Sequence, residues 1–249
     1  PPYTVSLAKY TAGLNWAFLE LVPGSVKDGG AFDTEWGTID GYAEIAKAAM
    51  SRASGLALKF VPGSINARTG EQKRKCIDEY AEIAKIALEH DGLALRYVPG
   101  SLVDLAGPEV PLSKPIDQYA ELAKVAVRTN GFALKYVPGS IDTRTGVQTR
   151  DFVEEYDEIS MVAVRAHATA LNWVPPSHPK YATIAQVAVK ADPYALEYVP
   201  KELPNYTQIA EMAIAIDADT IKFVPVDHTD YDALEALAES KGANSIYMT

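Results

Sequence analysis

A single cysteine, Cys76, stands in 249 residues. It excludes an internal disulfide and any cysteine-rich metal knuckle, and it fits a reducing, intracellular compartment. Histidine is scarce too: His90, His167, His178 and His228 never fall at the His-x-x-x-His or His-Glu-x-x-His spacing of a helical metal site. No apolar run approaches the roughly 18 residues that span a bilayer, so no membrane insertion is expected. No basic-then-apolar leader is visible. The chain opens Pro1-Pro2-Tyr3 without a methionine and reads as a processed or excised piece of a longer protein. Positive charge is short as well: 23 Lys and Arg against 33 Asp and Glu leave a net −10, which argues against a nucleic-acid surface. Residues 156–249 hold 13 acidic and 6 basic side chains, or −7, and the first 155 hold 20 and 17, or −3. Acidic partners are not expected; basic ones are permitted.

Catalytic signatures are equally absent. There is no Gly-x-Ser-x-Gly elbow, and Cys76 lies on an apolar helical phase, which reads as core rather than nucleophile. Asp28, Asp33 and Glu35 lack the periodicity of a calcium loop. Asp217 and Asp219 resemble paired carboxylates but occupy the position where other units place Asp-Gly, so they are expected to be turn residues. The expectation is a non-enzyme without cofactor or metal.

What the chain does have is a Val-Pro dipeptide that returns seven times, at Val22, Val61, Val98, Val137, Val174, Val199 and Val224, with spacings of 39, 37, 39, 37, 25 and 25. A fixed register of this kind marks a repeat array. A tyrosine stands 18 residues before the Val at Tyr80, Tyr119, Tyr156, Tyr181 and Tyr206; Tyr42 stands one residue further off because of an extra residue near Ala53. Thr4 takes this place in the first unit, and Tyr231 opens an eighth that fades into Ser245–Thr249. Tyr80, Ile83, Ala84 and Ala87 recur at i, i+3, i+4 and i+7, one apolar face of an α-helix, with Glu82 and Lys85 elsewhere. Asp91-Gly92 breaks that helix, glycine supplying the positive φ of a C-cap. Leu93–Tyr97 reads as a second, shorter helix stopped by Pro99, which biases Val98 to an extended conformation. Asn205 and Gln208 have capping-box spacing. Each unit is then a helical hairpin of about 25 residues, too small to bury its own apolar face, and stacking is obligatory. The tyrosines share a helical phase with Ile and Ala, which points to core rather than a carbohydrate-stacking stripe.

Strings such as Asn130-Gly131-Phe132-Ala133-Leu134-Lys135-Tyr136-Val137-Pro138 and Tyr194-Ala195-Leu196-Glu197-Tyr198-Val199-Pro200-Lys201-Glu202-Leu203 resemble the helical repeats named domain of unknown function 4116. The resemblance covers essentially the whole chain and is best from residue 156 onward. It implies an all-helical repeat found in large multi-repeat proteins of bacteria, algae and viruses, and it brings no catalytic residue to transfer.

The linkers are what packing does not explain. From Pro175 onward five residues separate each Pro from the next Tyr, whereas the first four gaps hold 18, 17, 19 and 17. Part of that length is expected to extend the following helix backward, since Cys76, Ile77 and Tyr80, or Phe152, Val153 and Tyr156, continue the apolar phase and Pro115 suits a first helical turn. Each long linker begins Pro-Gly-Ser, a type II turn signal, with no following lysine to make a phosphate cradle. Linkers two and four share Ser-Ile-x-x-Arg-Thr-Gly-x-Gln-x-Arg: Arg68, Thr69, Gly70, Gln72 and Arg74 match Arg144, Thr145, Gly146, Gln148 and Arg150. A small β-hairpin with glycine at a bulge is expected there. Linker one is acidic and carries Trp36; linker three is apolar, with Leu105, Pro108, Val110 and Pro111. Two readings stand: the loops brace neighbouring units, or they form a binding surface, as repeat-protein insertions gather on one side.

The expectation is one all-α, solenoid-like domain over 1–249, with about eight short helical hairpins, insertions in 1–155 and compact 25-residue repeats in 156–249. Its function would be that of a non-catalytic protein-interaction or structural scaffold, with Arg68, Thr69, Gln72, Arg74, Arg144, Thr145, Gln148, Arg150 and Trp36 as candidate contacts. The alternatives are a targeting or spacer region of a larger enzyme and a self-associating subunit of a larger complex.

Overall fold

The computed structural model describes residues 10–11, 15–22, 25–26, 41–52, 55–72, 74–102, 113–142, 147–148 and 150–242. Ala53, Trp36, the acidic residues of linker one, the apolar residues of linker three, Arg144, Thr145, Thr4 and Ser245–Thr249 lie outside them.

Among the described residues seven α-helices alternate with seven short 3-10 helices. The α-helices are α1 (Tyr42–Arg52), α2 (Tyr80–His90), α3 (Tyr119–Thr129), α4 (Tyr156–Ala166), α5 (Tyr181–Ala191), α6 (Tyr206–Ile216) and α7 (Tyr231–Ser240). The 3-10 helices are η1 (Trp16–Leu21), η2 (Gly55–Phe60), η3 (Gly92–Tyr97), η4 (Gly131–Tyr136), η5 (Ala168–Trp173), η6 (Pro193–Tyr198) and η7 (Ala218–Phe223). Each α-helix packs on the next α-helix and on the 3-10 helices before and after it, while the 3-10 helices pack on one another. The result is a repeat array of two layers sharing one continuous core, as stacking of units too small to fold alone requires. No helix among the described residues is long and apolar enough to cross a membrane.

The helical phase read from the sequence is the buried face. In α2, Tyr80, Ile83, Ala84, Ala87 and Leu88 are buried, and Glu82, Lys85 and Glu89 are exposed. Alanines on this face let neighbouring helices approach closely, and each buried Tyr or Leu stabilises by roughly 1.5–3 kcal/mol.

The turn between the layers differs from expectation. Gly92 does not take a positive φ; Gly41, Gly63, Gly70, Gly100, Gly139 and Gly242 do. Asp91 makes the turn instead. It leaves α2 extended at φ −146°, its N–H donates to the Ala87 carbonyl at 2.8 Å, and its carboxylate accepts from the Leu93 N–H at 2.9 Å. One residue thus ends the α-helix and caps the 3-10 helix, as Asn130, Asp192 and Asp217 do in their units. Asp217 is indeed a turn residue, whereas Asp219 lies inside η7 and donates its N–H to the Asp217 side chain. Glycine is needed for space: a Cβ on Gly92 would lie 2.2 Å from the Ala126 carbonyl oxygen, and one on Gly131 2.5 Å from the His167 Cβ.

Two further expectations are corrected. Asn205 makes no side-chain cap bond, so the capping box is absent; the Tyr206 N–H is taken instead by the Leu203 carbonyl at 2.9 Å, within the tight turn that feeds the helix. The helices after long linkers do not extend backward, for α2, α3 and α4 all start at their tyrosine. Cys76, Ile77, Phe152 and Val153 still pack on the core, but from non-helical backbone, and Pro115 lies against Gly100 rather than in a helix. Val98 is extended before its proline, as expected (φ −82°, ψ 130°).

Candidate binding surface

Every 3-10 helix hands over to the next α-helix at the same edge of the array, so all the insertions leave from that edge. Their first residues are tightly held. Val61, Val98 and Val137 accept the N–H of Ser64, Ser101 and Ser140 at 3.0, 3.1 and 3.1 Å, closing the Pro-Gly turn around glycines at φ 110°, 98° and 106°. These are the type II turns the sequence announces. The serines are buried to 2 %, 0 % and 1 % exposure, so their hydroxyls are not open to a phosphate.

Those hydroxyls reach the tyrosine of the following helix. Ser64 Oγ lies 3.1 Å from Tyr80 Oη and donates to the Leu58 carbonyl at 2.6 Å; Ser140 stands likewise 3.0 Å from Tyr156 and 2.7 Å from Leu134 O. Ser101 donates to Tyr119 Oη at 3.2 Å. Each tyrosine hydroxyl also meets the carbonyl of the aromatic residue just before its own Val-Pro: Tyr80 that of Tyr97 at 3.2 Å, Tyr119 that of Tyr136 at 3.4 Å. Burial pushes the Tyr80, Tyr119 and Tyr156 hydroxyls well above their ordinary range, with the serine bonds opposing part of the rise. Tyr206, which no serine approaches, is pushed up to about 12 by burial. All remain protonated donors at neutral pH, and among the described residues no buried side-chain nitrogen or oxygen lacks a partner.

The same carbonyls fasten the insertions. Val26 N–H donates to Phe60 O at 2.7 Å, Ile65 to Tyr97 O at 2.9 Å and Leu102 to Tyr136 O at 2.7 Å. The start of each of the first three insertions is thereby laid against the unit that follows it.

Beyond these stems both expected hairpins form. Strands β1 (Ile141–Asp142) and β2 (Val147–Gln148) pair antiparallel, with Ile141 opposite Gln148 and Asp142 opposite Val147. Ile65 and Gln72 make the matching bridge in linker two, with Gly70 at φ 70°. Asn66 organises that tip: its side-chain oxygen accepts from the Arg68 N–H at 2.8 Å and the Thr69 N–H at 3.3 Å. Arg68 and Thr69 are therefore held at an exposed tip, with Arg74 half-buried at the base. Gln72 is exposed yet engaged, donating to the Gly63 carbonyl at 2.9 Å. Gln148 donates to the Arg150 carbonyl at 2.8 Å. Two of the candidate contacts thus hold the hairpins in shape. Cys76 packs against Gly63, and burial pushes its thiol up from its ordinary value, the state of an unreactive side chain.

A second surface escaped the sequence reading. A 3-10 helix has three residues per turn, so positions i and i+3 share one face. The second and fifth residues of each short helix from η2 onward are its outward pair: Leu56 and Lys59, Leu93 and Arg96, Phe132 and Lys135, then Thr169 and Asn172, Tyr194 and Glu197, Asp219 and Lys222; in η1 the same places hold Ala17 and Glu20. In η2, η3 and η4 the pair is apolar plus cationic, and those helices hold no acidic residue. Lys59 Nζ stands 4.7 Å from the centre of the Phe60 ring and Lys135 Nζ 4.7 Å from that of Tyr136; Arg96 lies 5.5 Å from Tyr136 and 5.7 Å from Tyr97. The signal in the sequence was a Lys or Arg before each aromatic, visible once the short helix is given a period of three rather than 3.6.

At the boundary between long and compact units, His178 is 6 % exposed, with Nε2 2.9 Å from Asp157 Oδ1 and Nδ1 accepting the Lys180 N–H at 3.1 Å. Its ring meets Phe152 edge-on at 4.5 Å. Desolvation lowers its pKa from 6.5, against the pull of Asp157. Lys180 also pairs with Asp157. No group of three or more His, Cys, Asp or Glu side chains placed to hold a metal occurs among the described residues.

Compared with protein-family models, curated proteins and solved structures, the chain matches none.

Proposed function

We propose that this chain is a non-catalytic protein-interaction or structural scaffold whose insertions select the partner. One observation carries the reading: the hairpin of linker two is pinned at its base to the next unit through Ile65 and Tyr97, while its tip presents Arg68 and Thr69 to solvent. A loop that only braced its neighbour would need the stem and not the ordered tip. Recognition would work by shape and charge complementarity, with Arg68, Thr69 and Arg74 on one hairpin and Arg144, Thr145 and Arg150 on the other as contacts, Gln72 and Gln148 keeping the two in register, and Trp36 contributing from linker one. Membership of the domain of unknown function 4116 repeats belongs to the same proposal and rests on the strings quoted above.

The test compares the full chain with a version whose four long linkers are cut to the five-residue kind, after checking equal helicity by circular dichroism. Proteins captured from the source cell by the full chain should be lost on trimming, and Arg68→Glu with Arg74→Glu should lose part of them. Equal capture by the trimmed chain would remove the insertions from function.

A further inference from the structure

We infer that α7 closes the stack of α-helices: the flank it turns away from α6 is built, through Glu235 and Glu239, to refuse a second copy of this chain. This closure is independent of the hairpins and of any partner they take.

The register of the repeat carries it. Counted from its tyrosine, each α-helix has two inward pairs. The fourth and eighth residues are Ile or Leu and Ala in all seven helices, from Ile45 and Ala49 in α1 to Leu234 and Ala238 in α7, and all are buried. The fifth and ninth are Ala or Ser and an apolar residue in α1 to α6, such as Ala84 with Leu88 or Ala210 with Ile214, and these are buried too. In α7 the same two places hold Glu235, half-buried, and Glu239, exposed. The neighbours of α7 show which flank each pair occupies. It packs on α6 and η7, which precede it, and Leu234 and Ala238 are 1 % and 0 % exposed. The fourth and eighth places therefore face the preceding unit, and the fifth and ninth face the following one. The preceding flank of α7 keeps the rule of the repeat; the following flank abandons it.

The tyrosine is a second, independent sign. Tyr42, Tyr80, Tyr119, Tyr156, Tyr181 and Tyr206 are buried, and each donates its hydroxyl to the carbonyl that ends its own unit's 3-10 helix. Tyr231 is half-buried, and its hydroxyl turns to the Glu235 carboxylate at 3.4 Å. A further helix of this kind would bring an aliphatic residue and an alanine, at its own fourth and eighth places, against the two glutamates. Neither offers a hydrogen-bond donor. Taking two carboxylates out of water with no donor in reach costs more than the apolar contact returns. A polar outermost flank is what keeps a repeat array from extending itself through its neighbours.

The test is sedimentation velocity of the full chain over a range of protein concentrations. Glu235→Ala/Glu239→Ile copies Ala210 and Ile214 of α6 and restores the flank. Glu197→Ala/Glu211→Ala, which removes the same charge from exposed places on η6 and α6, is the control. The average mass of Glu235→Ala/Glu239→Ile should rise toward that of a dimer with concentration and fall back on dilution, with an unchanged circular dichroism spectrum. The parent and the control pair should sediment alike at every concentration. Glu239→Ile alone, at an exposed place, should show a weaker rise, and it decides the matter where the pair disturbs the helix. Sedimentation indistinguishable from the parent's overturns the closure. An equal rise in the control pair also overturns it, since net charge and not this flank would then be the cause. So does a parent that associates and loses that association in Glu235→Ala/Glu239→Ile, because the flank would then be a contact between copies.

Discussion

In the first half of the array Ser64, Ser101 and Ser140 are buried between a Val-Pro turn and the tyrosine of the next helix; in the second half Ser177, at the same place after Val174-Pro175, is exposed. The compact units close the junction another way. His178, Leu203 and His228 turn back on Pro175, Pro200 and Pro225, and their carbonyls accept the N–H of Tyr181, Tyr206 and Tyr231 at 2.9 Å in each case. In the long units Ile77, Ile116 and Val153 do that last task at 3.0, 2.9 and 3.1 Å. The final step into the α-helix is therefore common to both halves, and the serine is the addition that lets a long excursion begin. The difference teaches that an insertion here is a detour between two fixed stations, not a loosened turn.

Substitutions can break that comparison at several strengths. The largest effect is expected where space is shortest. Gly92→Ala should lower stability by about 2–3 kcal/mol through overpacking against the Ala126 carbonyl. Ala168→Gly, at the equivalent position of unit five, should cost only about 0.5–1 kcal/mol; urea midpoints of the two variants decide. Next comes Ser64→Ala, which removes the donor to Leu58 O and the neighbour of Tyr80 Oη inside the protein. Its expected cost is about 1–2 kcal/mol, against less than about 0.5 kcal/mol for exposed Ser177→Ala. Equal losses would mean that the serine stations are not particular to the long units.

A pH effect should sharpen the boundary itself. His178 is held neutral, with a folded pKa below the unfolded value of 6.5. The unfolded chain then binds the extra proton first, so this contribution is complete above pH 6.5 and is lost as pH falls through the folded value. His178→Leu copies the residue that unit six uses at Leu203, and it should flatten that part of the stability profile between neutral and mildly acidic pH. A profile as steep as the parent's would place the titration elsewhere. The smallest effect concerns the bridges Lys47–Glu82 and Lys124–Glu158, both 2.6 Å and both between neighbouring units, the first within the first half and the second across the boundary. A double-mutant cycle on Lys124 and Glu158 should return about 0.5 kcal/mol, because Glu158 is largely exposed and water screens the pair.

Much of this was legible in the residues. The Tyr–Ile–Ala–Ala phase, the Val-Pro stops, the type II turns and the two hairpins follow from local rules that tertiary context does not override. The misses share a cause. Gly92, the backward helix extension and the capping box at Asn205 are places where the neighbouring unit decides. A glycine that looked like a C-cap is set by a carbonyl 34 residues further along, at Ala126; apolar residues such as Ile77 reach the core without a helix. The cationic face of η2 to η4 was hidden because a six-residue apolar segment does not announce whether its period is 3.0 or 3.6, and that choice changes which side chains look outward. The serines were read only as turn residues, since nothing local says that their hydroxyls will meet a tyrosine 16 to 18 residues away.

The carbonyls of Phe60, Tyr97 and Tyr136 each receive two donors, the hydroxyl of their own unit's tyrosine and the N–H of the preceding insertion. They therefore act as docking pins for an interchangeable cartridge. Whatever stretch of chain lies between pin and helix can be lengthened, shortened or exchanged while the pitch of the array stays as it was, so what the molecule displays is free to diversify at a rate its framework does not have to follow.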